Sequence, residues 1–321
     1  MPEKTEEKEK MLNYQNIVKY SDNFDKVFKN YIGYKKEIEY FNKNNYKKKK
    51  KYNKIVCLSG PPGIGKTVFV RKLAMASGRE PLFYLNCASL KSNCSVLPLK
   101  GNKKNPSIIA KSILGTECSN PIIFFDELEK AEEISIQKEL IEIFKCFKEN
   151  RIFFDTFYEQ NLDLNNIDFI LAVNFLEELS PKLKSMIFIR EIEGYNNEEK
   201  KEILKLKKND FLSKFGEKQV YDYQEIINYL VDKRIKERGI RKLEFALYRI
   251  MIHLNEEKKD VSKEWEWIDY NIPLFCEKFE LKKKHYFLFL LLFFNFTFFT
   301  NFLFTFFFKK KEKYNIKWKK K

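Results

Sequence analysis

The 321-residue sequence predicts an α/β fold: a parallel sheet with flanking helices, followed by a smaller helical unit. Three observations predict it. Short apolar runs at 54–60, 81–87, 120–127 and 166–174 alternate with helix-like stretches at 66–77, 106–115 and 135–148. That order is what parallel strands joined by helical crossovers require. A glycine-rich turn, GPPGIGKT at 60–67, joins the first apolar run to the first of these helices. After Gly194 the strand-like runs stop, and 196–215, 222–234 and 239–255 read as amphipathic helices.

Taken in order, residues 1–20 read as a mobile, charged start. Between Ser21 and about Asn44, the apolar residues Phe24, Val27, Phe28 and Tyr31, then Ile38 and Phe41, fall at helical spacing broken by Gly33. The stretch 44–53 is a Lys-rich solvated linker, so 21–53 form a helical segment with its linker. The α/β domain is expected over 54–193 and the helical domain over 194–281. Residues 282–321 are a Phe/Lys-rich tail whose segment 286–308 holds 23 residues without a charge. That length suits one membrane span. Two other readings stand beside it: unselected low-complexity sequence read past a misplaced boundary, and a buried helix.

Net charge is +16, but residues 282–321 hold eleven Lys against one Glu, and 47–51 are five consecutive Lys. The body is therefore near neutral, and nucleic acid is not an expected partner. Six cysteines have irregular spacing and only two His accompany them, so zinc has no case. Cys57 and Cys87 sit in strand-like runs as buried reduced thiols. An intracellular reducing compartment is expected, cytoplasm or an organelle interior, with membrane association resting on 286–308.

Gly60-x-x-x-x-Gly65-Lys66-Thr67 has the phosphate-loop pattern between a strand and a helix. Backbone N–H groups of Gly60, Gly63, Ile64, Gly65, Lys66, Thr67 and Val68 can surround phosphate oxygens only if glycines leave room, with Pro61 and Pro62 as turn formers between them. Proline itself contributes shape and no N–H. The helix that starts near Lys66 adds its dipole. Lys66 would reach the β- and γ-phosphates of ATP, and the Thr67 hydroxyl would ligate Mg²⁺. IIFFDE at 122–127 ends a buried strand in two acids at the sheet's ligand-binding edge. Asp126 is expected on the metal, and Glu127 on the attacking water. Asn174 ends the next strand, where its amide would meet that water or the γ-phosphate.

These residues resemble the AAA+ ATPases, and most closely the ATPase module of the Lon-type proteases. YIGYKKEIEYF (31–41) is similar to the family's adenine-contacting segment, which implies roles for Tyr31, Ile32 and Gly33. FFDELEK (124–130), FFDTFYEQNLDLNNIDFILAVN (153–174), EIEGYNNEEKKEILK (191–205) and IKERGIRKLEFAL (235–247) follow in the family's order. The resemblance puts Asn174 in the sensor-1 position and Arg241 in the sensor-2 position. It makes 194–281 a lid domain, and implies a ring homo-oligomer, a hexamer in the family, acting on protein.

The departures are specific. LKSM (183–186) places Ser185 where the family has the arginine finger, with Lys184 and Arg190 as the nearest substitutes. LKGNKKNPS (99–107) lacks the aromatic residue of the family's pore loop. No protease-like segment follows Leu281, so peptidase activity is not expected from this chain as given. Two functions stay open: an ATP-hydrolysing module, coupled to protein remodelling or to proteolysis where a protease is supplied elsewhere, and a nucleotide-binding, hydrolysis-poor assembly subunit.

Overall fold

The computed structural model describes residues 2–13, 23–46, 55–89, 99–131, 134–215, 223–257 and 271–272. In chain order its strands are β1 (Ile55–Ser59), β2 (Phe83–Asn86), β3 (Ile122–Asp126), β4 (Phe153–Asp155), β5 (Gln160–Leu162), β6 (Asp168–Val173) and β7 (Phe188–Glu191). Five of them form one sheet in the order β2-β3-β6-β1-β7, every neighbouring pair parallel. The remaining two, β4 and β5, pair antiparallel as a hairpin.

Every residue of β1, β3 and β6 is buried, which is why these segments read as unbroken apolar runs. Their alternate side chains enter two different cores. Cys57, Ile123, Phe125, Phe169 and Leu171 face one side, with α5 (Ile108–Thr116) and α6 (Ile134–Lys148). Leu58, Phe124, Ile170 and Ala172 face the other, with α4 (Lys66–Ala76), α2 (Phe24–Phe28) and α3 (Lys35–Tyr46). The layers are thus helix, sheet, helix.

Beyond a short α7 (Pro181–Lys184), a third core is wholly helical. It joins α8 (Asn197–Phe215), α9 (Tyr223–Tyr229) with its π-helical extension to Arg234, and α10 (Arg241–Glu257). Leu204, Ile227, Leu230, Leu247 and Ile250 sit at its centre, each fully buried.

Several features differ from the sequence expectation. The charged start is a helix, α1 (Pro2–Asn13), and Tyr158 donates to the Glu7 carboxylate at 2.6 Å. Its mixed charges hid a helix whose anchor lies some 150 residues away. The edge strand β7 was not foreseen because it is only half-buried and ends in Arg190 and Glu191. The hairpin β4–β5 was missed because three-residue strands leave no alternation to read. The five-Lys run at 47–51 and the tail 282–321, with its segment 286–308, lie outside the described residues. Among the described residues no helix is long and apolar enough to cross a membrane.

Cys57 and Cys87 are fully buried, and burial pushes both thiols up to about 12. At the end of the sheet away from the loop, Arg79 and Asp168 form a buried ion pair at 2.5 Å, their side chains 1% and 8% exposed. Arg79 also donates to Ser77 Oγ at 3.3 Å and to the Asn120 carbonyl at 3.5 Å. Removing one member of such a pair strands the other's charge. Arg79→Ala is therefore expected to lower stability by about 3–5 kcal/mol in urea unfolding.

Candidate functional site

Because β1, β6 and β3 are neighbours, their C-terminal ends bring Gly60, Asn174 and Asp126 to one edge of the sheet. β1 is also where the chain order reverses, with β7 on one side and β6 on the other, and such crevices are where open α/β sheets bind ligands. Leaving β1, the loop turns through Gly63 and Gly65, both at positive φ (80° and 88°). Gly65 then caps α4, whose first amides have no partner within the helix.

The Lys66 ammonium is buried in this loop and donates three hydrogen bonds: to the carbonyl of Gly60 at 2.6 Å, that of Pro61 at 3.1 Å, and Asn174 Oδ1 at 2.9 Å. Burial pulls its pKa down to about 8, against the opposing pull of Glu129 and Asp126. Thr67 Oγ1 donates to Asp126 Oδ2 at 2.6 Å. These are two hard oxygen donors at one point, the set that suits a Mg²⁺ keeping most of its own waters. Tyr84 also donates to Asp126 Oδ2, at 3.3 Å, and Asp126 Oδ1 accepts from the Glu127 amide at 3.0 Å.

Glu127 has φ 54°, left-handed for a residue with a side chain. Such strain collects at functional sites, where the surroundings impose it. Its carboxylate faces Lys130 at 2.5 Å. Asn174 Nδ2 donates to Glu129 Oε1, also at 2.5 Å. Sequence reasoning passed over Glu129, because it stopped at the first two acids of DELEK.

The helical unit closes the site from above. Ile240 donates its amide to the Gly63 carbonyl at 3.1 Å, and Tyr195 donates its amide to the Arg238 carbonyl at 2.9 Å. The Tyr195 hydroxyl donates to the Ile64 carbonyl at 2.5 Å. A Cβ on Gly239 would lie 2.6 Å from the Pro62 carbonyl oxygen, and one on Gly194 would lie 2.3 Å from that of Arg238. Backbone meets backbone here, so glycine is required. Tyr195 was not singled out from the sequence, and a lone tyrosine in a loop gives no signal that it will.

A cavity of about 590 Å³ lies between loop, sheet edge and helices, an ordinary size for a small-ligand site. Tyr31, Ile32, Pro62, Gly63, Gly65, Lys66, Thr67 and Val68 line it, together with Asp126, Glu127, Asn174 and Arg241. Four expected residues do not. Gly33 (φ 79°) sits beneath Tyr195, where a Cβ would come within 2.7 Å of the ring. Gly60 and Pro61 act through carbonyls turned to Lys66, and Ile64 is buried in the core.

Of the two substitutes for the missing arginine, Lys184 ends α7 half-buried. Arg190 pairs with Glu37 at 3.0 Å and lies over the Tyr40 ring, so it is committed inside its own chain. Ser185 is exposed and donates to the Lys182 carbonyl at 2.8 Å. The loop at 99–107 is a tight turn closed by Asn102 and Asn105, and Ser107 caps α5 by accepting from the Ala110 amide.

Residues 56–213 match the profile of the ATPase family associated with various cellular activities, AAA. A Lon protease of Flavobacterium johnsoniae is 29% identical over 231 residues, 66% of this chain and 26% of that protein. A mitochondrial Lon protease homolog of Candida albicans is 30% identical over 208 residues, 61% of this chain and 19% of that protein. A Lon protease of Brucella melitensis is 28% identical over 246 residues, 72% and 26% respectively. The chain thus spans about a quarter or less of the length of these relatives. The matched residues 56–213 include the phosphate loop, Asp126, Glu127 and Asn174, and the chain carries an AAA domain similar to that of the Lon proteases.

Proposed function

We propose that this chain binds ATP in the cleft and hydrolyses it. The observation that carries the reading is the convergence of Lys66, Thr67, Asp126 and Asn174 on one cavity roofed by Arg241. Lys66 would exchange its carbonyl and amide partners for the β- and γ-phosphates, and the loop amides would hold the remaining oxygens. Thr67 and Asp126 would hold Mg²⁺, which when bound neutralises charge on those phosphates. Glu127 would leave Lys130, an exposed and hence inexpensive partner, and orient the attacking water. Arg241 would reach the phosphates from the lid and tie its position to the nucleotide. Tyr31 and Ile32, which line the cavity, would meet the base.

In the same reading, 54–193 form the α/β domain and 194–281 the lid, and the module works in a ring of identical chains. Coupling to protein remodelling, or to proteolysis as the names of the relatives suggest, belongs to the same proposal. A second reading rests on Arg190 and Ser185: with Arg190 held by Glu37 and Tyr40, the module would bind nucleotide and assemble but turn over poorly. Magnesium-dependent phosphate release by the purified chain separates the two. Turnover that stays at background while nucleotide binds, and that rises on mixing with an active ring partner, favours the second.

Lys66→Ala is expected to weaken nucleotide binding by about 10- to 100-fold, as loss of charge-assisted hydrogen bonds predicts, in a fluorescent-nucleotide titration. Glu127→Gln should retain ATP affinity and lose about 10²-fold or more in turnover, so that ATP stays bound. Undiminished turnover would remove Glu127 from its role. Gly239→Ala should push the lid off the loop and cost about tenfold in affinity through overpacking, while Ala substitution at the exposed Lys182 should change nothing.

A further inference from the structure

Glu129 has no place in the function described so far, yet its surroundings are unusual. One carboxylate oxygen accepts from Asn174 Nδ2 at 2.5 Å. The other is shut away from solvent and has no hydrogen-bond partner. A carboxylate oxygen left dry and unpaired is costly, so something must repay it. Among the charges facing Lys66, that of Glu129 is the largest favourable one, ahead of Asp126. Glu129, Asn174 and Lys66 therefore form a chain: carboxylate, amide, ammonium.

The order of that chain fixes the amide. Ionised Glu129 only accepts and protonated Lys66 only donates. Asn174 must give its NH₂ to the first and its oxygen to the second. The flipped amide would set oxygen against carboxylate and NH₂ against ammonium, two repulsions in place of two bonds. We propose that Glu129 is a positioning residue: it locks Asn174 so that Oδ1, not Nδ2, faces the phosphate end of the cleft.

The sequence left open whether Asn174 meets the water or the γ-phosphate, and the lock chooses. On the ATPase reading, on which this consequence rests, phosphate draws Lys66 away and leaves Oδ1 as a bare acceptor. An acceptor repels phosphate oxygens and accepts a hydrogen bond from the attacking water, steering that water's lone pair towards phosphorus. Asn174 then acts beside Glu127 on the nucleophile rather than as a donor to the γ-phosphate.

The test has one arm without turnover and one with it. In the full chain labelled with ¹⁵N-asparagine, the Asn174 side-chain amide is identified by its loss in Asn174→Ala. It is expected to exchange with solvent at least about tenfold faster in Glu129→Ala than in the parent, and to stay protected in Glu129→Gln, which keeps an acceptor oxygen. Should Glu129→Ala fail to fold, Glu129→Asp, which withdraws the carboxylate by one methylene, must show the same loss. An Asn174 amide unchanged in the folded variant overturns the proposal.

In turnover, Glu129→Ala should lower kcat by about 10- to 100-fold, the usual cost of losing a residue that orients a working group, with ATP affinity within about threefold. Glu129→Gln should restore most of it. In an Asn174→Ala background, Glu129→Ala should cost nothing further, whereas additive losses would show that Glu129 acts elsewhere and overturn the proposal. A parent chain that hydrolyses no ATP, yet shows the protected amide and its loss, would defeat the ATPase reading and leave the lock standing.

Discussion

The site depends on one constraint: a lysine ammonium lodged inside the protein must have its protons accepted. Lys66 comes off the first turn of α4 beneath a loop of glycines, and it meets two loop carbonyls and one side-chain amide. Those three acceptors come from two strand ends, β1 and β6, and hold only if these strands are neighbours. Sheet order, loop conformation and the identity of residue 174 all bear on one buried cation. An ammonium without such partners would surrender its proton instead of staying charged. On the proposed function, binding a phosphate would be an exchange of acceptors rather than the addition of new bonds.

The two ends of the sheet treat charge differently. At one end Arg79 and Asp168 are closed in with Ser77 and Asn120, and nothing in their surroundings invites a rearrangement. At the other, Lys66, Asp126, Glu127 and Asn174 each have a partner and each border a cavity. The same physics, a charge in poor solvent, yields a permanent fastening where the pair is sealed and a replaceable one where it is open.

Much of this was legible in the sequence for a physical reason. β1, β3 and β6 are buried on both faces, so their apolar runs are unbroken; the loop needs its glycines; the acids stand at a strand end. Each is a local requirement that leaves a local mark. Gly33 shows the limit. Its presence was legible, but the Tyr195 ring more than 150 residues away, which a Cβ there would meet, was not. Tyr195 and Glu129 act through geometry that only the folded chain creates, and α1 is held by a bond from Tyr158. Arg190 looked available in sequence because Glu37 and Tyr40, its partners, lie on a distant helix.

The close seating of the helical unit on the loop has a mechanical side. Ile240 holds Gly63 through main-chain atoms, and the next residue, Arg241, begins α10. No flexible side chain separates loop from helix, so little play is available between them. A helix of 17 residues is about 25 Å long. With its near end pinned at Gly63, a tilt of about 10° carries its far end roughly 4 Å, by the geometry of a rigid rod of that length. The loop is the short arm of a lever, and the far end of α10 is where a small displacement of the loop becomes a large one.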